Sequence, residues 1–261
     1  MSTDKEKGNP IQVADRLFGT LEYLAEHGRC GLMQLSQAMG LNKSTMHRIL
    51  CSLQYLGYVQ QNEPDNTYEL TFRIVGLANR KMAGADIITA IRPYLRRLME
   101  ISGETVHFVK REGGEAVYVD KVESISQSVQ LISRIGNRIP LYRSGVGKAM
   151  AATLPESEVR AIWQESRIEK MTPCTITDYD RYLEALKLVR EKGYALDNEE
   201  NETGVRCIAA SLMLNGQAAD YAFSISAPAG RMDDARIREL AVHVLAIKAE
   251  IEQDIGGMMR V

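Results

Sequence analysis

The chain has 261 residues, 45% of them hydrophobic and 25% charged, with a formal net charge of −2. These are the proportions of a globular protein, and no apolar run reaches membrane-spanning length. The near-neutral charge excludes whole-molecule attraction to a polyanion, and four scattered cysteines without a C-x-x-C pair argue against a disulfide framework or a zinc finger.

The first residues, Met1 to Pro10, are polar and lack the apolar core of a signal peptide, so the expected location is cytoplasmic, with no membrane partner. Ala14, Leu17, Phe18, Leu21, Leu24 and Ala25 then trace an amphipathic helix that His27-Gly28 would end. Leu32, Leu35, Ala38 and Met39 make a short second helix, and Gly40 turns the chain into a third. In that third helix Met46, Ile49, Leu50, Leu53 and Leu56 recur at core-facing spacing, while Ser44, His47, Arg48 and Cys51 lie opposite. Asn42 is a natural N-cap, which places Lys43, Ser44 and Thr45 in a first turn whose free N–H groups suit phosphate oxygens. No acidic residue occurs from Leu41 to Asn62. Two strand-like runs, Tyr58–Gln61 and Thr67–Leu70, flank a turn-rich Asn62-Glu63-Pro64-Asp65-Asn66 insert, the pattern of a hairpin. Three helices and a hairpin predict a winged helix-turn-helix over residues 1–72. Asn42, Lys43, Ser44, Thr45, His47 and Arg48 are its candidate contacts to duplex DNA, with Gln61 and Asn66 on the wing. A basic tip on a near-neutral chain predicts weak contact from one copy, so two tips are expected to act together.

A linker helix is predicted over residues 73–86, relaxed around Gly84. A further helix follows from about Ile87 to Ile101, where Pro93 implies a start near Arg92 or a kink. The remainder, residues 87–261, changes character. Thr105–Lys110, Ala116–Val122 and Ser128–Ile135 read as strands, then Gly145–Ala152, Glu156–Gln164 and Tyr179–Lys192 as helices. Val205–Leu214 and Ala218–Ser226 read as strands joined through Asn215-Gly216, a hairpin signal, and a closing helix runs from Asp233 to about Ile255. Strands in blocks and helices in blocks indicate an α+β fold around an antiparallel sheet.

Several stretches together resemble the IclR-type (isocitrate lyase regulator) bacterial transcription factors. They are Asn42-Lys43-Ser44-Thr45, Leu56-Gly57-Tyr58-Val59, Pro140-Leu141-Tyr142 with Ser144-Gly145-Val146-Gly147-Lys148-Ala149, and Gly193-Tyr194-Ala195-Leu196-Asp197-Asn198-Glu199-Glu200 running on to Gly204-Val205-Arg206-Cys207-Ile208-Ala209-Ala210. The last is the most specific. Ser133-Arg134-Ile135-Gly136 with Pro140-Leu141-Tyr142 looks most like repressors of sugar-acid catabolism. The resemblance implies a GAF-like α/β effector-binding domain at the C-terminus, a homodimer or dimer of dimers, and control of a catabolic operon by a small carboxylate. It also implies effector contacts at Leu131, Ile139, Gly145, Val146, Asp197, Cys207, Ser224 and Ser226.

The residues support that pocket. Ser224 and Ser226 are two apart on one predicted strand and share a face. Asp197 is read as lying on the loop before the strand that carries Cys207. Arg143-Ser144-Gly145-Val146-Gly147 precedes a predicted helix, where small residues let backbone N–H groups approach a carboxylate; Ser144 joins the candidate set, and Leu131 and Ile139 would form apolar walls. Plainer readings stand beside these. Cys207 fits as a buried small hydrophobe, the two serines as strand filler, Glu199, Glu200 and Glu202 as a solvated acidic loop, and Arg206 has no assigned role. Gly145-Val146-Gly147-Lys148 is not a phosphate loop, because Tyr142 and Ala149 stand where that motif needs Gly and Ser or Thr. Asp197, Cys207 and His107 are zinc-competent types without standard zinc spacing, so neither a metal nor a cofactor is expected. The competing readings are a small-molecule hydrolase using Cys207 with His107, and an architectural DNA-binding protein without a pocket.

Overall fold

The computed structural model describes residues 9–83, 86–123, 133–214 and 218–256. The chain divides into two compact units, residues 1–85 and 86–261.

In the first unit, α1 (Gln12–His27) ends on Gly28, whose φ of 72° is the left-handed conformation glycine adopts without strain. A two-residue strand β1 (Cys30–Gly31) leads into α2 (Leu32–Ala38) and α3 (Lys43–Tyr55). The hairpin β2 (Val59–Asn62) and β3 (Thr67–Leu70) follows, then α4 (Arg73–Ala83). β1 pairs with β3, giving the order β1-β3-β2; a two-residue strand carries no periodicity, so local pattern does not reveal it. Leu24, Cys30, Leu35, Met46, Ile49, Leu50, Leu53, Val59 and Tyr68 form the core. The start of α4 is tied to the hairpin, Thr71 Oγ1 donating to Gly57 O (2.6 Å) and Arg73 lying 5.3 Å from the Tyr58 ring centre. Gly84 lies outside the described residues.

The second unit opens with α5 (Asp86–Ser102), a single helix that contains Pro93. It does not start near Arg92, because Ile87 and Ile91 bury on the same stripe as Leu95 and Leu98. Burying two such side chains contributes ~3–6 kcal/mol, against ~3 kcal/mol for an interior proline. The carbonyl that loses its donor is that of Thr89, an exposed residue. Then come β4 (Thr105–Glu112), β5 (Glu115–Val122), β6 (Arg138–Pro140), a 3-10 turn (Leu141–Arg143), α6 (Gly145–Ala151), α7 (Glu156–Glu165) and α8 (Tyr179–Lys192). β7 (Ala195–Asn198), β8 (Val205–Leu212), β9 (Tyr221–Pro228) and α9 (Asp234–Gly256) complete it.

Among the described residues, six strands form one antiparallel sheet in the order β6-β5-β4-β9-β8-β7. One face, with Val106, Phe108, Ile208, Phe223 and Ile225, lies against α5 and α9. The other, with Val109, Ala209 and Ala222, lies against α6. Three expectations are revised here. The strand before Gly145 is Arg138–Pro140 rather than Ser128–Ile135; residues 133–135 are not in a strand, and 124–132 lie outside the described residues. The last strand starts at Tyr221, not Ala218, and Asn215-Gly216 lies outside the described residues. Asp197 is on β7 and not on a loop, directly opposite Cys207 in the ladder.

Candidate functional site

On the first unit, Asn42 caps α3, its side-chain oxygen accepting from Thr45 N and Ser44 Oγ, both at 2.9 Å. The cap orients the first turn, where Asn42, Lys43 and Ser44 are exposed and Thr45 is half-buried. One turn on, His47 and Arg48 are exposed while Met46, Ile49, Leu50 and Leu53 are buried, so the polar and apolar faces separate as their spacing predicts. Gln61 and Asn66 are exposed on the hairpin, Gln61 Nε2 donating to Asn66 Oδ1 at 3.2 Å. Between them the turn carries Glu63 and Asp65, both exposed. Hydrogen bonds from Thr67 hold the Asp65 carboxyl below the usual range and keep it charged. The turn is therefore acidic, flanked by the uncharged amides of Gln61 and Asn66.

On the second unit, the α6 face of the sheet encloses a cavity lined by His107, Tyr118, Ser133, Ile139, Ser144, Gly145, Val146, Asp197, Asn201, Glu202, Val205, Cys207, Ser224 and Ser226. The ladder register explains the convergence. Asp197 lies opposite Cys207 and Cys207 opposite Ser226, while two residues along, Ser224 lies opposite His107. Residues opposite one another, and those two apart on a strand, share a face.

α6 closes the cavity, and every one of its residues is buried. Ser144 caps it, its Oγ accepting from Gly147 N (3.1 Å) and donating to Pro140 O (3.2 Å). The glycines permit the close fit. A Cβ on Gly145 would lie 3.3 Å from Asp197 N, and one on Gly147 would fall inside the backbone of Leu141.

Asp197 Oδ1 accepts from Glu200 N (2.8 Å) and Asn201 N (3.4 Å). Burial, and then the neighbouring Glu200 charge, push its carboxyl up to about 6. Burial also pushes the Cys207 thiol up, with the Asp197 charge adding to it, so Cys207 stays a neutral thiol. Ser224 Oγ and Ser226 Oγ are 3.5 Å apart. His107 is held between hydroxyls, Nδ1 at 3.2 Å from Ser226 Oγ and Nε2 at 2.7 Å from Ser133 Oγ. Burial and then the charge of Lys121 push it down to about 4, leaving the imidazole neutral at pH 7.

Of the residues expected in an effector pocket, Ile139, Ser144, Gly145, Val146, Asp197, Cys207, Ser224 and Ser226 line this one cavity; Leu131 lies outside the described residues. Sequence reasoning did not place His107, Tyr118, Ser133, Asn201, Glu202 or Val205 in it. The acidic-loop reading of 199–202 is wrong for Glu200 alone, since Glu202 is exposed where it borders the cavity. Glu200 is buried and paired with Lys148 of α6, and Glu202 lines the cavity, while Glu199 accepts from Gly204 N near the surface. A lysine inside an otherwise apolar, small-residue helix was the available signal, since a buried ammonium needs a partner. Arg206 finds its place away from the cavity, bonded to Met232 O and Asp234.

Residues 13–63 match the IclR helix-turn-helix domain, and residues 80–253 match the family described as bacterial transcriptional regulator IclR C-terminal. The chain belongs to the IclR family. It is a DNA-binding transcriptional regulator and not an enzyme. Among IclR-family relatives, it is 33% identical over 241 residues to the HTH-type transcriptional regulator KdgR of Escherichia coli K12, covering 92% of this chain and 91% of KdgR. It is 34% identical over 228 residues to XynR of the same organism, covering 87% and 90%. The crystal structure of Thermotoga maritima IclR superposes with a TM-score of 0.82 at 26% identity, covering 94% of this chain and 99% of that one. The hydrolase reading has no support: Cys207 is held as a thiol, and both nitrogens of His107 are bonded to serines rather than to Cys207. Among the described residues no helix is long and apolar enough to cross a membrane, and no group of three His, Cys, Asp or Glu side chains stands ready for a metal ion.

Proposed function

We propose that this regulator is an effector-gated repressor of a catabolic operon, acting in the cytoplasm as a homodimer or dimer of dimers, and that its signal is a small carboxylate such as a sugar acid or keto acid. The observation that carries the reading is the convergence of Asp197, Cys207, Ser224 and Ser226 with the Ser144–Val146 turn on one cavity. Concave sites with a few convergent polar groups over an apolar floor are the usual form of small-ligand sites. Two further relatives at 32% and 31% identity are named DNA-binding transcriptional repressor YiaJ and transcriptional repressor IclR, which supports repression.

In this reading residues 1–72 read DNA, 73–86 link, and 87–261 sense and assemble. α3 enters the major groove, with Asn42, Lys43, Ser44 and Thr45 at phosphates and His47 and Arg48 toward base edges. Gln61 and Asn66 reach along the backbone or into the minor groove. Two such units on a two-fold axis would read half-sites ~34 Å apart or a multiple of it. The effector acts through unequal affinity for the DNA-competent and incompetent states.

Arg48→Ala is expected to weaken operator binding by about 10- to 100-fold per half-site, the equivalent of ~1–3 kcal/mol for a base contact, with effector binding intact. Fluorescence anisotropy on the region upstream of the chain's own operon measures this; unchanged affinity would remove the recognition-helix assignment. Asp197→Ala combined with Ser224→Ala is expected to abolish effector-driven release of that DNA. A normal response from the double variant places the sensor elsewhere.

A further inference from the structure

β5 breaks the alternation of a regular strand. In the β4–β5 ladder Phe108 lies opposite Asp120 and Val109 opposite Tyr118, so Val119 has no partner on β4. One extra residue on one strand is a β-bulge, a feature that recurs beside binding sites because it re-aims side chains. Here it sorts four consecutive side chains between the two faces of the sheet. Tyr118 lines the cavity. Lys121, opposite His107, donates from Nζ to Ser133 O at 2.8 Å, and Ser133 is also in the cavity wall. Between them, Val119 packs with the apolar face under α5 and α9, and Asp120 meets Arg92 of α5. Strict alternation would have sent Asp120 to the side of Tyr118.

Both sides of the bulge are held. On the cavity side Gly136 N donates to Tyr118 O (2.8 Å) and Tyr118 N donates to Asn137 O (3.0 Å), while the Tyr118 ring stands edge-on to His107 with centroids 5.1 Å apart. On the α5 side Arg92 Nη1 donates to both oxygens of Asp120, at 3.1 and 3.2 Å. Asp120 is 2% exposed and the Arg92 side chain 48%. Burial pushes the Asp120 carboxyl up, and the Arg92 charge draws it back. A buried charge keeps its counter-ion, because parting from it is costly. A shift of the bulge is therefore passed to Arg92. α5 begins at Asp86, the first residue of the second unit, so it is the element of that unit joined by the chain to the DNA-binding unit.

We infer that Arg92 and Asp120 are positioning residues through which the β5 bulge carries the state of the cavity wall to α5, and so to operator affinity; this rests on the effector reading above. A double-mutant cycle on the full-length protein tests it without any ligand, by fluorescence anisotropy on the region upstream of the chain's own operon. Tyr118→Leu and, separately, Lys121→Met disturb the bulge from the cavity side. Arg92→Met with Asp120→Asn removes the ion pair without stranding a buried charge, and asparagine keeps an acceptor for Lys121 N.

Each cavity-side variant is expected to change operator affinity about threefold or more, the scale of coupling through a packed network. The same change is expected to fall below about 1.5-fold once the Arg92–Asp120 pair is gone, and to persist in Arg92→Lys, which keeps the charge. Asp120→Asn alone, the milder change, repeats the cycle if the double variant fails to fold, and Lys121→Met stands in if Tyr118→Leu does. A pair that is merely structural would lower stability to urea and leave the two effects on operator affinity multiplicative. Multiplicative effects, or cavity-side variants that leave operator affinity unchanged, overturn the inference. Either result leaves the sensor reading standing, because Asp197→Ala with Ser224→Ala decides that reading by its response to effector.

Discussion

Replacing Lys148 with methionine is expected to destabilise the C-terminal unit by about 3–5 kcal/mol, the usual cost of removing one partner from a buried ion pair. Lys148 is 3% exposed and Glu200 6%, and the ammonium binds Glu200 Oε1. The other carboxylate oxygen, Oε2, is buried and has no hydrogen-bond partner among the described residues. Without Lys148 that carboxylate keeps its desolvation and loses its counter-charge. The pair by itself need not be stabilising. Lys148→Met combined with Glu200→Leu is expected to return to within about 1–2 kcal/mol of the parent, because the charge and its partner leave together. The chain has a single tryptophan. Trp163 packs among Tyr142, Tyr179 and Tyr182 in the C-terminal unit, so its fluorescence during urea unfolding reports that unit. A Lys148→Met loss below about 1 kcal/mol would show that the pair is wetter than its burial indicates. The effector response should suffer as well, since Glu200 N is a donor to Asp197 Oδ1.

Asp197→Asn is expected to stabilise the protein at pH 8 and to do nothing at pH 4. In the folded chain the Asp197 carboxyl sits at about 6, raised from its ordinary 3.8 by burial and the Glu200 charge. The folded state therefore holds the proton more tightly than the unfolded state does. Stability from the protonated form is full below the ordinary value and is lost as pH rises through about 6. Above that, ionised Asp197 weighs against folding by about 3 kcal/mol, at ~1.4 kcal/mol per pH unit. Asparagine keeps an acceptor for Glu200 N and Asn201 N and removes the charge. The expected gain is up to about 2–3 kcal/mol at pH 8, shrinking to nothing by pH 4. Unfolding free energies of both proteins across that range measure it, and a difference that does not change with pH would show that Asp197 titrates normally. The same variant should respond poorly to effector, the common trade of stability against function at a binding site.

How far the sequence could be read depended on whether each feature is local. The Asn42 cap, the Gly28 stop, the polar face of α3 and the serine pair of β9 all follow from residues within one or two turns or from strand alternation. Local spacing decides them, and the structure shows them as expected. Gly147 was legible only as a small residue; that it must be glycine follows from the backbone of Leu141, six residues earlier, passing beneath it.

The features that were misread are those made by partners distant in the chain. β7 has four residues and lies at the sheet edge, so only pairing with β8 makes Asp197 a strand residue facing Cys207. Glu200 looks like surface charge until α6, 52 residues away, brings Lys148 against it. His107 could be named as a candidate base or ligand, but not placed, because Ser226 lies 119 residues along the chain and reaches it only across the β4–β9 ladder. Sequence alone determined the winged helix and the α+β order of elements, since these rest on periodicity, capping and turn chemistry, and it named only part of the polar lining of the pocket. Only the tertiary structure decided which polar groups are buried, which are neutral and which face one another, because burial and sheet register are set by contacts between residues far apart in the chain.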